Sequence, residues 1–235
     1  MALPKNIRPE YSTTIPSSGK RIKYQPFSVK EEKILILAAE TQDTDEITNA
    51  VSNVLTNCIT SPQDFNVEEL ALYDIEYLFL KTRAKSVGEK ITVTITDPED
   101  PTYKVDHDIN IDKIGVVKDK NHTDTINISE DVVIKMKYPD INFFNDGVNI
   151  NDIASSITLI GKCVSQLVVG EEVFNKVDMT ESELTEWLEG LTQSQFQKII
   201  EFFNTMPKLS HTITLKNKKT DKEFTVKLEG LQDFF

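Results

Sequence analysis

The stretch from Pro26 to Glu89 constrains the fold most, because three consecutive segments in it space their apolar residues as helices do. The first runs from Val29 to about Thr41 and is apolar on most sides, which predicts a buried helix. The second begins near Asp43 and the third near Asn66. Each of these has a glutamate three residues later, as in a capping box. The pattern predicts a helical body.

The middle of the chain changes to the alternation of apolar and polar residues that is typical of half-buried strands. The segment KITVTITD shows it most clearly, and the pairs Asp97-Pro98 and Asp100-Pro101 mark a turn after it. The predicted strands are Lys90–Asp97, Tyr103–Ile111, Thr125–Ile128 and Val132–Met136.

Helical spacing returns in the second half, where Asp152 caps a predicted helix that extends to about Val169. Two further capping boxes, Thr180 with Glu183 and Thr192 with Gln195, open two more helices. The tail after Pro207 predicts two strands around a polar turn at Asn217–Lys222.

Residues 1–27 contain four prolines and no apolar period, so we interpret them as an extended arm with turns. Residues 1–30 contain six basic residues against Glu10 alone, a net charge of +5 in a chain whose net charge is −12. Such a basic arm either meets an acidic partner or is a solubilising tail. Because the arm lacks periodic apolar residues, its removal is expected to weaken partner binding more than folding.

These elements predict a mixed α+β fold with four parts. The parts are an extended basic arm (1–27), a helical body (28–89 and 150–206), a β-rich insert (90–149) and a C-terminal hairpin with an aromatic tail (207–235).

Composition argues against several classes of partner. The negative net charge disfavours nucleic-acid binding, and the longest apolar run, Ile34–Ala39, is far shorter than the roughly 20 residues of a membrane span. The N-terminal residues do not resemble a signal peptide. Cys58 and Cys163 lie in apolar patterns typical of buried, reduced thiols, which indicates a cytoplasmic setting.

The sequence contains no common catalytic motif. It has no phosphate-binding glycine loop and neither HExxH nor GxSxG, so no small-molecule substrate is expected. The strongest metal-like cluster is Asp106-His107-Asp108, but neighbouring residues of a strand point to opposite faces. We therefore expect neither metal nor cofactor. An enzyme without a recognised motif stays an alternative, which requires Asp106, His107 or His122 in a concave site.

The segment 171–189 is rich in glutamate and contains Trp187. The acidic run is either a docking face for a basic partner or a solvated helix face. Trp187, at helical spacing from Leu184, Leu188 and Leu191, is either a core residue or an interface anchor.

Four segments carry a resemblance to a known family: MALPKNIRPEYSTTIPSSGK, PFSVKEEKILILAAE, YDIEYLFLKTRAKSVGE and the ending LEGLQDFF. The chain resembles the baseplate hub assembly proteins of T-even-type tailed bacteriophages. The resemblance implies a non-enzymatic protein that helps to assemble the baseplate hub as an assembly factor or chaperone. The alternative is a persistent structural subunit of the virion baseplate.

The resemblance also implies partners and a location. Its partners would be other phage baseplate hub or tape-measure proteins, met in the host cytoplasm during assembly or in the virion tail baseplate. Some relatives place cysteine pairs in the β segments, which suggests a zinc ribbon. Here the corresponding turns, 97–103 and 217–222, contain no cysteine, so packing and hydrogen bonds must hold them.

Partner binding is assigned to the third helix and the C-terminus. On a helix, Tyr73, Glu76 and Tyr77 share one face and Phe79 and Arg83 another, so one face can pack inward while the other meets a partner. The alternative for each residue is core packing or solvated charge. The candidates are Tyr73, Asp74, Glu76, Tyr77, Phe79, Arg83, Lys85, Phe234 and Phe235.

Overall fold

The computed structural model describes residues 6–143, 153–230 and 234, without the side chains of residues 44, 45, 142 and 153–155. Within these residues the chain forms six α-helices and twelve β-strands in four small sheets, which confirms the predicted α+β class. The chain divides into two compact units. Unit 1 comprises residues 1–117 and 208–235, and unit 2 comprises residues 118–207.

The N-terminal segment of unit 1 forms a hairpin where the sequence predicted an extended arm. Strands β1 (Tyr11–Thr14) and β2 (Arg21–Tyr24) pair antiparallel, and β3 (Ile59–Ser61) pairs with β2. The turn between β1 and β2 contains Gly19 at φ 68°, a conformation that glycine adopts without strain. The buried apolar residues of this region are Ile15, Ile22, Tyr24 and Phe27.

The three predicted helices of unit 1 are present, with one start displaced. Helix α1 spans Val29–Thr41, α2 spans Thr44–Cys58 and α3 spans Leu72–Ser86. The predicted cap of α2 is confirmed, since the Glu46 amide donates to Asp43 Oδ1 at 3.1 Å. The predicted start of α3 near Asn66 was wrong. The Asn66 carboxamide bonds to Glu69 within a turn that precedes the helix.

The prediction that α1 is buried was also wrong. This helix packs against α2, and its only buried residues are Glu31 and Leu35. Consecutive apolar residues point in different directions around a helix, so one packing partner covers only some of them. Of the remaining apolar side chains of α1, Ala38 is half-buried and the others are solvent-exposed.

The rest of unit 1 is built from two hairpins and a short strand. Strand β4 (Lys90–Thr96) pairs with β5 (Lys104–Asn110). Strand β11 (Lys208–Lys216) pairs with β12 (Glu223–Glu229) and with β6 (Gly115–Val117). The hairpin predicted after Pro207 is therefore confirmed.

A hydrophobic core joins α3 to these hairpins. Its buried members include Leu80 on α3, Ile95 and Ile109 on β4 and β5, and Leu209 on β11. The turns after β4 and β11 meet through a buried hydrogen bond in which Asn217 Nδ2 donates to Asp97 Oδ2 at 2.6 Å. Packing and hydrogen bonding thus hold the two turns, as expected for turns that lack cysteine.

Unit 2 combines a four-stranded antiparallel sheet with three helices. Strands β7 (Thr125–Asn127), β8 (Val132–Met136), β9 (Val164–Val169) and β10 (Glu172–Asn175) stand in the order β10-β9-β8-β7. The helices are α4 (Ile153–Cys163), α5 (Glu181–Glu189) and α6 (Gln193–Thr205). The predicted capping boxes at Thr180 and Thr192 are both present.

The helix predicted from Asp152 to Val169 ends at Cys163, where the backbone continues directly into β9. The β-branched residues of β9 fit a strand better than a helix, and β9 is a central strand paired on both sides. Asp152 itself lies outside the described residues.

The predicted grouping of segments differs from the two units. The helical segment 28–89 lies in unit 1, whereas α4, α5 and α6 lie in unit 2 with their own hydrophobic core. Likewise the insert is divided, since β4 to β6 belong to unit 1 and β7 and β8 to unit 2. Spacing along one strand or helix does not reveal which distant element it packs against.

Both cysteines are free and buried, as the sequence indicated. Burial raises the pKa of the Cys58 thiol to about 11 and that of the Cys163 thiol to about 12. Among the described helices, none has the length and apolarity needed to span a membrane.

Candidate functional site

Helix α3, where most of the predicted partner-binding residues lie, is enclosed by unit 1 over most of its circumference. It contacts α2, β6, β11 and the short 3-10 helix Ile111–Lys113. Tyr73, Asp74 and Phe79 are buried, whereas Glu76, Tyr77, Arg83 and Lys85 are half-buried. The structure thus places the candidates around a central helix rather than on one exposed face.

Two of these candidates attach the N-terminal hairpin to α3. Asp74 is fully buried, and its Oδ1 accepts a hydrogen bond from the Ser17 amide at 3.0 Å. Burial raises the pKa of this carboxyl group, and its Oδ2 has no hydrogen-bond partner among the described residues. The Tyr77 hydroxyl group bonds to Thr13 Oγ1 at 3.1 Å. Both residues therefore stabilise the packing of the N-terminal hairpin on α3 within unit 1.

The charged candidates at the end of α3 differ in their surroundings. Lys85 Nζ lies 2.6 Å from Glu89 Oε1 and 3.2 Å from Asp112 Oδ2, and the bond to Glu89 raises its pKa. Arg83 has a buried Nη1 for which the described part of the chain supplies no hydrogen-bond partner, and burial lowers the pKa of its guanidinium group. Glu76 lies beside Gly230.

At the C-terminus, Phe234 is 1% exposed and belongs to the core that joins α3 to the hairpins. Phe235 lies outside the described residues. Whether any of the nine candidate residues contacts a partner stays a prediction.

The metal-like cluster of the sequence lies on an ordinary hairpin. Asp106 Oδ1 accepts from Thr94 Oγ1 and Asp108 Oδ1 from Thr92 Oγ1, each at 2.8 Å across the β4–β5 pair. His107 alternates with them and stands opposite Val93. In the part of the chain that the structure describes, no three His, Cys, Asp or Glu side chains are grouped as metal ligands would be.

His122 joins three segments of unit 2. Its Nδ1 lies 3.0 Å from Thr205 Oγ1 at the end of α6, and its Nε2 lies 3.0 Å from the Tyr138 hydroxyl group. The imidazole ring also packs on Phe202, with 5.2 Å between the ring centroids. Burial lowers the pKa of His122. The side chain thus connects elements and belongs to unit 2, whereas Asp106 and His107 belong to unit 1.

We expect unit 2 to lose stability on acidification. Because the folded state lowers the pKa of His122, the unfolded chain takes up its proton first as pH falls through about 6.5. Urea unfolding followed by Trp187 fluorescence at pH 7.5 and pH 5.5 measures the loss. His122→Gln should reduce the pH dependence, and an unchanged dependence in this variant would contradict the assignment.

Two further surfaces are apolar and open, and the sequence indicated only part of the second, through Trp187 and the acidic run. The first is the outer face of α1, where Val29, Ile36 and Leu37 are 81%, 54% and 53% exposed. Their spacing of seven and eight residues places them on one side of the helix, opposite Glu31 and Leu35. The apolar run Ile34–Leu37 is visible in the sequence, but it predicted a buried helix and not an exposed apolar face.

The second surface is a groove of about 410 Å³ in unit 2 between the β9–β10 hairpin and α5. Apolar side chains line most of it, with carboxylates among them. The lining residues are Leu167, Val169, Glu172, Phe174, Asp178, Met179, Glu183, Leu184 and Trp187. Trp187 is half-buried and packs against the core of unit 2 while it lines the groove.

Comparison with known proteins identifies a family for this fold. The chain matches the family model described as T4 bacteriophage base plate protein over residues 8–235, almost its whole length. No curated protein and no solved structure matches it. Since the match covers both units, the chain belongs to the family of T4 bacteriophage base plate proteins.

Proposed function

We propose that this baseplate protein is a non-enzymatic, protein-binding component in the assembly of the tail baseplate hub. The observation that carries the proposal is the apolar outer face of α1. Contiguous exposed apolar surface is a mark of protein interaction sites, and each square ångström buried contributes about 25 cal/mol. Other hub or tape-measure proteins are the proposed partners, met in the host cytoplasm during assembly.

The arrangement of ionisable groups supports a role without catalysis. Asp106 and Asp108 bond to threonines across an exposed hairpin, and His122 bonds to two hydroxyl groups. Within unit 1 the two carboxylates lie on an exposed strand face, and within unit 2 both described ring nitrogens of His122 are engaged, so neither group is placed in its own unit as a general base in a concave site would be. The described surface is therefore proposed to act mainly by burying contact area against a partner protein.

Among the α3 candidates, the half-buried residues Glu76, Tyr77, Arg83 and Lys85 keep accessible surface and are proposed to contact a partner directly. Tyr73, Asp74, Phe79 and Phe234 are buried, so their proposed contribution is to hold that surface in shape.

Substitution of the α1 face should separate binding from folding. We expect the double variant Ile36→Glu, Leu37→Glu to weaken association with baseplate proteins at least tenfold, because charge replaces the apolar contact. Its free energy of unfolding should change by no more than about 0.5 kcal/mol per site, since both sites are exposed. Co-purification and urea unfolding measure the two effects.

The double variant Asn49→Glu, Asn53→Glu on the exposed side of α2 adds the same two charges and is the matched control. If both variants retained partners equally, the α1 face would not be part of the interface.

An assembly factor and a persistent subunit differ in the finished particle. An assembly factor or chaperone is absent from purified particles, whereas a structural subunit of the virion baseplate is present in a fixed copy number. Quantitative mass spectrometry of purified particles decides between them. We propose the assembly factor, and a fixed copy number in particles would assign the chain to the structural class.

A further inference from the structure

We infer that the groove between the β9–β10 hairpin and α5 binds a basic, amphipathic segment of a partner protein. This inference rests on the proposed function, because it names a second contact surface and the chemistry of what binds there. The groove belongs to unit 2, whereas the α1 face belongs to unit 1.

The sheet wall of the groove follows from the register of two strands. Leu167 is paired with Phe174 and Val169 with Glu172, so all four side chains lie on one face of the hairpin. Exposure increases along this face, from buried Leu167 to Val169, which is 37% exposed. The wall is therefore apolar inside and ends in a carboxylate at its open edge.

Helix α5 and the segment before it form the opposite wall. Leu184 and Trp187 lie three residues apart on α5 and face the groove, and Met179 lies just before the helix. Leu184 is buried, whereas Trp187 keeps part of its ring accessible. A half-exposed tryptophan beside an apolar floor is the type of side chain that dominates binding energy at protein interfaces.

The rim determines the charge of the partner. Glu172, Asp178 and Glu183 line the groove, and four more exposed glutamates lie in the same segment, at positions 171, 181, 186 and 189. Within the described residues, none of these seven carboxylates forms an ion pair. Lys176, the one lysine among residues 171–189, donates instead to the Gly161 carbonyl oxygen at 3.3 Å.

Carboxylates that form no ion pair among the described residues, set around an apolar floor, select a complementary ligand, although Asp178 and Glu183 also accept hydrogen bonds in capping boxes. Like charges raise the electrostatic energy of the free groove, and lysine or arginine side chains on a bound segment would lower it. The apolar floor requires leucine-like or aromatic side chains on the same segment. A helix with an apolar stripe flanked by basic residues supplies both.

Intrinsic fluorescence can test this directly, because Trp187 is the only tryptophan of the chain. The probe is a tryptophan-free amphipathic peptide of leucine and lysine, about 15 residues long so that it can form a helix. Titration into the full-length protein should give a saturable blue shift of Trp187 emission that weakens as salt is added. Peptides with glutamate for lysine, or with serine for leucine, should not bind.

The variant Glu172→Lys reverses a rim charge that caps no helix, and it should weaken peptide binding at least fivefold. Glu201→Lys makes the same change of charge on α6, outside the groove, and should bind as the wild type does. Equal weakening in both variants would mean nonspecific attraction and would overturn the proposal. So would absence of a saturable shift.

Two further outcomes count against the proposal. Self-association of the protein that Glu172→Lys abolishes, seen by sedimentation, would assign the groove to a second copy. If the serine peptide bound as tightly as the leucine peptide, charge alone would account for binding and the apolar floor would not contribute. Either result leaves the proposed function standing, because that function is tested by co-purification through α1 and not by the peptide.

Discussion

Replacing Phe234 by serine is expected to lower the free energy of unfolding by about 3–5 kcal/mol, the range observed when buried aromatic side chains are truncated. Phe234 is 1% exposed and packs in the core that joins α3 to the two hairpins of unit 1. The variant leaves a cavity and also buries a hydroxyl group. Urea unfolding followed by circular dichroism measures the loss.

The control for Phe234→Ser is Ile7→Ser, an apolar-to-serine change at a residue that is 96% exposed. The control should stay within about 0.5 kcal/mol of the wild type. A loss below about 1 kcal/mol in Phe234→Ser would show that the C-terminal phenylalanine does not contribute to this core.

Removal of residues 1–27 is expected to abolish cooperative folding of unit 1. The deletion takes away Ile15, Ile22, Tyr24 and Phe27, all buried, and the strand that pairs with β3. Burial of one large apolar side chain contributes about 1.5–3 kcal/mol, so four of them approach the roughly 5–15 kcal/mol by which whole domains are stable. Thermal melting followed by circular dichroism tests this.

Single substitutions in the same hairpin measure how much individual side chains contribute to the stability that the deletion removes. Ile22→Ala should cost about 2–5 kcal/mol, whereas Thr14→Ala, at an exposed position of the same hairpin, should cost far less. A truncated protein that melts like the full-length chain and loses only its partners would restore the extended-arm interpretation.

Local chemistry explains why much of the fold was predictable. The capping boxes at Thr180 and Thr192, and the cap at Asp43, involve residues within three positions of one another, so the sequence contains both partners. Strand β8 was predicted with its bounds because alternation is also local.

The errors in the predicted secondary structure arose where tertiary contacts determine the conformation of a segment. The segment Val164–Val169 continues the apolar spacing of α4 but becomes a strand, because it pairs with β8 and β10 on either side. The proline-rich N-terminal segment becomes a hairpin because Asp74 and Tyr77 on α3 bind its backbone and side chains. Neither partner is near in sequence.

The candidate surfaces were predictable only in part. The acidic run and Trp187 were recognisable in the sequence as a docking face or a solvated face. Their placement against Leu167 and Phe174 depends on the β9–β10 hairpin, whose first strand the sequence indicated as helix. On α3, by contrast, the aromatic residues that suggested an interface lie largely inside unit 1.

We propose that this base plate protein acts through contact with other baseplate proteins. Chemical cross-linking in infected cells during assembly, followed by affinity purification and mass spectrometry, tests it most directly. We expect cross-links from the α1 segment, through the exposed Lys30 or Lys33, to hub or tape-measure proteins. Recovery of the chain alone at every stage, with the same cross-linker joining known baseplate neighbours in the sample, would contradict it.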